Sequence, residues 1–350
     1  MVETLELSEI LQKEEEFYSR GFYFSYSSIT RLLNNPESFY RHYILGQKED
    51  TESQAALEGR IVHCLVLTPE LFESTYLVSP GTVPEGNPKI IIDQIFALYK
   101  TEVEGENPRE EFCEYRDEIL DIMKNINYFQ KLVDDKELTG DQKRLNKVCT
   151  PENIGYFNFL KQALQKTIIS QEMYTNCQRA AERVKNHPEA ASLLGVNEFE
   201  FSDKNVEFHR ELLIDMTSNK LDFGFKGIVD SIKIDHDNKI IYVNDLKRIS
   251  KYLKDFKESI WKFRYDIQAI VYCGLVSNKF SHLLIEQGYT IEFRFIVIDA
   301  NNQCYCFKVS NDTMELWLNQ FEIEIKKVDY HYSNKKYDLP YDFCTGTIEL

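Results

Sequence analysis

The stretch 225–272, FKGIVDSIKIDHDNKIIYVNDLKRISKYLKDFKESIWKFRYDIQAIVY, decides the fold. It carries two apolar, strand-like runs separated by the turn residues 235–238, followed by a helical pattern. Asp230 closes the first run. Fifteen positions later the second run, opening IIYV, ends in Asp245-Leu246-Lys247. The runs 206–215, 225–235 and 239–247 read as strands, and 255–276 reads as one strong helix. Further out, 290–299 and 303–309 form a hairpin pattern around Ala300-Asn301-Asn302, and 311–328 reads as a closing helix. With the alternating Glu198-Phe199-Glu200-Phe201, the order is β-β-β-β-α-β-β-α. That order predicts an α/β (α+β) fold with a mixed central sheet flanked by helices.

Upstream the pattern is helical. Residues 1–20 read as an acidic helix. Ser27 or Ser28 is placed to cap a helix ending near Asn34-Asn35, where Pro36 starts the next. Residues 58–67 read as a buried helix running to Thr68-Pro69, and 80–88 as a loop. Residues 89–165 are charged and helical, with turn signals near 105–108, Gly140 and Pro151. Helices over 171–194 break at His187-Pro188. The expected organisation is an N-terminal helical part over 1–88, a helical insertion over 89–165 and a core over 166–350.

The central motif has a chemical meaning. Hydrolysis of a phosphodiester needs an activated water and a cation to stabilise charge on the phosphate and leaving oxygen. Hard ions such as Mg²⁺ or Mn²⁺ take carboxylate, carbonyl and water oxygens. Asp230 and Asp245, on neighbouring antiparallel strand ends, bring two carboxylates close together, and the Leu246 carbonyl is a further candidate ligand. Lys247 lies two residues after Asp245 and so shares its face. Gln268 and Tyr272 are four apart on a helix and share a face turned to the same place. Taken singly, each residue has a bland reading: a turn Asp, a solvated Lys, a packed Tyr. Taken together, they favour a site. His63, in an apolar helix, reads by default as a core histidine, and Glu198 or Glu200 as sheet-surface glutamates.

Bulk properties set limits on this reading. The chain has 350 residues, 43% hydrophobic and 28% charged, enough for a large buried core. Its net charge of −16 argues against a protein that simply coats nucleic acid. The exception is a local basic strip, Arg248, Lys251, Lys254, Lys257, Lys262 and Arg264, suited to phosphates. A solvated helix face is the plainer alternative. The eight cysteines form no CxxC pair, which speaks against a zinc or disulfide framework. No apolar run approaches spanning length and the N-terminus is acidic, so a soluble, intracellular, non-membrane protein is expected.

The set Gly59-x-x-x-His63, Gly227-x-x-Asp230, Asp245-x-Lys247 and Gln268-x-x-x-Tyr272 resembles the PD-(D/E)XK nuclease superfamily. It looks most similar to the RecB/RecE branch and, within it, to the exodeoxyribonuclease VIII-like exonucleases of phages and prophages. YSSITRLLNNPESFYRHYIL and QEMYTNCQRAAERVKNHPEAASLL followed by EFEF extend the resemblance over 25–80 and 170–310. It implies a restriction-endonuclease-like core with Mg²⁺ (or Mn²⁺) held by His63, Asp230, Asp245, Leu246 and an acidic residue matched by Glu198. Lys247 is implied as catalytic, with Gln268 and Tyr272 in support. It also implies digestion of linear duplex DNA ends from the 5′ side, a homo-oligomeric ring, a single-strand annealing protein as partner, and a cytoplasmic place in a bacterial or phage-infected cell. Related branches carry an iron–sulfur cluster, but Cys304, Cys306 and Cys344 have the wrong spacing for one. No GxxxxGK[ST] is present, so no ATP motor is expected. Two alternatives stay open: a structure-specific endonuclease of the same fold, and a non-catalytic module that binds DNA ends or a protein.

Overall fold

The computed structural model describes residues 7–47, 53–196, 205–344 and 346. The expected strand at Glu198–Phe201, and with it Glu198 and Glu200, lies outside them. The described chain is a mixed α/β structure that divides into two compact units, residues 1–69 with 177–350, and residues 70–176.

The larger unit is built on a six-stranded mixed sheet. Strands β1 (Tyr23–Phe24), β4 (Val206–Met216), β5 (Gly224–Asp235), β6 (Ile240–Arg248), β7 (Thr290–Ile298) and β8 (Cys304–Lys308) form it. The short strands β2 (Tyr76–Val78) and β3 (Thr167–Ile169) pair in parallel inside the smaller unit. In the large sheet β4 runs antiparallel along one whole edge of β5. The other edge of β5 is shared: β1 takes Gly224 and Phe225 in parallel, and β6 takes Ser231–Asp235 antiparallel. Between these two partners, residues 226–230 have no strand on that edge among the described residues. β6 then pairs in parallel with β7, and β7 antiparallel with β8.

Asp230 therefore does not end a strand, as the apolar run predicts; β5 continues through it to Asp235. The β5–β6 ladder stops at Ser231↔Asn244, one residue short of both aspartates. The β4–β5 ladder is also interrupted here. It passes from Arg210↔Ser231 to Leu212↔Val229, skipping Glu211 and Asp230 without a change of register. Glu211 has φ +48°, a left-handed conformation that L-residues seldom adopt. Across the gap the pleat changes phase: Phe225 and Val229 on one side, Ile232 and Ile234 on the other, all face the same core. One extra residue in each strand explains both observations, since a bulge in one strand alone would shift the register.

Helices cover both faces of this sheet. On one, Leu193 of the Pro188–Leu194 helix accepts hydrogen bonds from Ser231 and Asn244. On the other, the Tyr265–Lys279 helix packs so closely that a Cβ on Gly227 would lie 2.9 Å from Tyr272 and 3.1 Å from Leu275. The expected single helix over 255–276 is two, Phe256–Phe263 and Tyr265–Lys279. Arg264 separates them with φ +57°, its guanidinium held by Asp266 and Glu324. The cap of the Tyr26–Asn34 helix is Ser25, not Ser27 or Ser28; Ser28 instead closes a reciprocal capping box from the third helical position.

The smaller unit is mainly helical, with Asn87–Glu104, Arg116–Asn125, Gly140–Val148 and Pro151–Ala163 around Ile95, Tyr115, Ile119 and Phe157. Among the described residues no helix is long and apolar enough to cross a membrane.

Candidate functional site

Where β5 and β6 part, the backbone N–H of Leu246 has no ladder partner and is bonded instead by Asp230 Oδ2 at 2.7 Å. That one contact fixes a carboxylate at the split between the strands. His63, on the Gln54–Leu67 helix, reaches the same place: Nδ1 lies 3.6 Å from Asp230 Oδ2, and Nε2 is hydrogen-bonded to the Leu246 carbonyl. A carbonyl can only accept, so Nε2 donates to it and Nδ1 is the nitrogen turned to the carboxylate. Ligand atoms of His63, Glu211 and Asp230 all lie within 4.8 Å of one another.

Asp245 is fully buried beside this group. Lys247 Nζ donates to its Oδ1 at 2.8 Å, as does Gln268 Nε2, also at 2.8 Å. Among the described residues, Asp245 Oδ2 lies 2.7 Å from the same ammonium yet takes no directed hydrogen bond, and Gln268 Oε1 is likewise buried without a partner. Two orphaned acceptors in one pocket are unusual, because a buried lone pair left empty costs free energy. The ammonium of Lys247 also lies 4.9 Å from the centre of the Tyr265 ring.

The electrostatics match this crowding. Burial pushes the Asp245 carboxyl up to about 6, with Lys247 opposing and Asp230 adding to the rise. Glu211 is pushed up to about 7, first by desolvation of its carboxyl and then by Asp230, although the residue as a whole is exposed. Lys247 is held above its ordinary value: Asp245 and Asp230 together outweigh the burial that opposes its charge. Three clustered carboxylates, an imidazole lone pair and unfilled buried acceptors form a donor set suited to a hard divalent cation.

The structure thus brings together Asp230, Asp245, Lys247, Leu246, Gln268 and His63. Tyr272 packs in the core against Gly227 and approaches the site through Gln268. The basic strip divides. Arg248 donates to the Asp299 carbonyl, Arg264 is tied to Asp266 and Glu324, and Lys251 pairs with Glu258 at 3.0 Å. Lys254, Lys257 and Lys262 are exposed. Glu211 is the residue that the sequence reading did not single out. A hairpin centred on the turn after β4 pairs position 211 with 230, and that symmetry was the available signal.

No family model matches the chain, and no curated protein does. Among solved structures, 99% of the chain aligns with 96% of a chain from Eubacterium rectale named as a candidate exonuclease, at 10% identity and a TM-score of 0.42. A likeness this loose says nothing about the residues of the site.

Proposed function

We propose that this chain is a divalent-metal-dependent nuclease that hydrolyses phosphodiester bonds at the ends of linear duplex DNA. The observation that carries the reading is the convergence of His63, Glu211, Asp230, Asp245 and Lys247 at the point where β5 and β6 separate. Residues 183 positions apart, His63 and Leu246, meet there directly. His63 Nδ1, Glu211, Asp230 and Asp245 would hold the ion, while the Leu246 carbonyl, expected as a ligand, orients the imidazole through Nε2. A bound Mg²⁺ or Mn²⁺ supplies Lewis-acid stabilisation of charge growing on the phosphate oxygens.

The chain's own groups do the rest. Lys247, its ammonium 2.7–2.8 Å from the Asp245 oxygens, offsets negative charge at the phosphate and orients a water. Gln268 fixes the Asp245 carboxylate through Oδ1, leaving Oδ2 to the Lys247 ammonium and the ion, and its own Oε1 is an acceptor for a water. Tyr272, wedged against Gly227, holds the helix that presents Gln268. Preference for ends, the 5′ to 3′ direction, a homo-oligomeric ring, an annealing-protein partner and a role in phage-type recombination or replication are what the RecE-type resemblance implies.

The test is an end-labelled linear duplex and a closed circle of the same sequence, each with Mg²⁺ and with chelator. Metal-dependent loss of the linear DNA alone is expected. Equal cutting of the circle would make the protein an endonuclease, and no metal-dependent loss of either substrate would overturn the reading.

A further inference from the structure

The edge of β5 that lies between β1 and β6 opens onto a cavity of about 460 Å³. Leu213, Lys226, Gly227 and Ile228 line it from the sheet, and Tyr26 and Tyr272 line it from two helices. That volume is within the span of small-ligand sites, which combine an apolar lining with a few polar groups. Leu213 and Ile228 are directly opposed in the β4–β5 ladder, and both are open to solvent, at 64% and 48%. They stand two residues along their strands from Glu211 and Asp230, a distance of about 7 Å in extended chain. The aromatic walls lie within reach of the same carboxylates. Burial, then Asp230 and Asp245, push the Tyr272 hydroxyl up; burial, then Tyr265 and Asp245, do the same to Tyr26. Lys226, two residues further along β5, is exposed, and its ammonium lies 5.8 Å from the centre of the Phe22 ring. Asp215 is its ladder partner, yet among the described residues Lys226 has no ion pair. One cavity beside the carboxylate cluster thus offers an aliphatic pair and an unpaired cation. A phosphate alone would use only the cation, and an apolar molecule only the pair. A nucleotide uses both, because apolar side chains take the flat face of a base.

We propose that this cavity receives one unpaired nucleotide of the substrate beside the bond to be cut, with its base against Leu213 and Ile228 and a phosphate of the same strand at Lys226. Paired bases keep their faces covered inside a duplex, whereas an unpaired nucleotide has a face to offer. The proposal rests on the nuclease reading for its choice of a nucleic acid, and it adds that the end of a duplex opens before the chain cuts it.

The test follows the methyl resonances of Leu213 and Ile228, assigned with Leu213→Ala and Ile228→Val, in chelator. Thymidine 5′-monophosphate is added to one sample and deoxyribose 5-phosphate, which lacks the base, to another. The nucleotide is expected to shift both methyls through its ring current, and the sugar phosphate to leave them nearly unmoved. Leu213→Ala and Ile228→Ala should each weaken nucleotide binding about fivefold, with Ile228→Val restoring most of the loss. Lys226→Gln should weaken both ligands alike, since both carry the phosphate. With Mg²⁺ and linear duplex, the two alanine variants should lower kcat/KM by a similar factor. Methyls that stay in place with the nucleotide, or that shift equally with both ligands, would overturn the proposal. Cleavage is read separately: nucleotide binding without metal-dependent cleavage of any DNA sinks the nuclease reading alone, and cleavage unaltered in both alanine variants, with unmoved methyls, sinks the nucleotide site alone.

Discussion

Asp245 has no contact with solvent and three claims on its two oxygens: Lys247, Gln268 and an acceptor position left open. Asp245→Asn should therefore lower the rate of metal-dependent cleavage by about 100-fold or more while the protein stays folded, checked by single-turnover kinetics beside circular dichroism. Glu211→Gln should do the same through the opposite side of the cluster. Asp230, Asp245, Lys247 and Gln268 were legible because they lie in one stretch whose strand and helix periods are clear. His63 was legible only through the resemblance, since its apolar surroundings hide a polar partner 183 positions away. Glu211 was hidden because the β4 residues around it alternate weakly. In the smaller unit Glu102 is held near 2, below its ordinary 4.5, by charge-assisted bonds from Arg109 and a hydroxyl from Tyr115. A depressed folded value means stability that is present above the unfolded value and lost as pH falls through the folded one. Glu102→Gln should cost about 1 kcal/mol at pH 7 and much less at pH 2, read from urea midpoints at the two pH values.

At the scale of elements, the strands over 206–308 and most of their boundaries followed from period and turn chemistry, whereas the two- and three-residue strands β1, β2 and β3 did not. The break at Arg264 leaves no mark on the helical period; the residue stands at φ +57° with its guanidinium beside Asp266 and Glu324. The phase shift across Asp230 shows in the sequence only as the end of an apolar run, and because both strands carry it together the register does not change. Close approaches are testable here. Gly195 ends the Pro188–Leu194 helix at φ +64°, and a Cβ there would lie 2.4 Å from the Phe208 ring. Gly195→Ala should destabilise by roughly 1–3 kcal/mol, combining left-handed strain with overpacking. Gly227→Ala should act differently. Its clash is with Tyr272, so it should displace the helix carrying Gln268 and lower cleavage by more than its effect on melting temperature would suggest.

At the scale of the molecule, the helical character of 89–165 was plain, but its extent as a compact unit over 70–176 was not. The pairing of Tyr76–Val78 with Thr167–Ile169 joins residues about ninety positions apart through strands of three residues each. Such short strands carry almost no sequence pattern. A ligand that binds only the folded state stabilises by mass action, about 2.7 kcal/mol at one hundred times its dissociation constant. Saturating Mg²⁺ should accordingly raise the melting temperature of the unit that contains the sheet by several degrees. The rise should vanish in Asp230→Asn, as calorimetry would show.

The left-handed backbone at Glu211 sets local comfort against the task of the site. A glutamate there bears a conformational penalty of roughly 1–2 kcal/mol that glycine would not, and it adds a carboxylate to a crowded group. Glu211→Gly should thus yield a protein that melts higher without metal and gains less from Mg²⁺ than the parent. The most durable version of this fold would be the idle one, and selection for thermal resistance alone would be expected to erase this residue first.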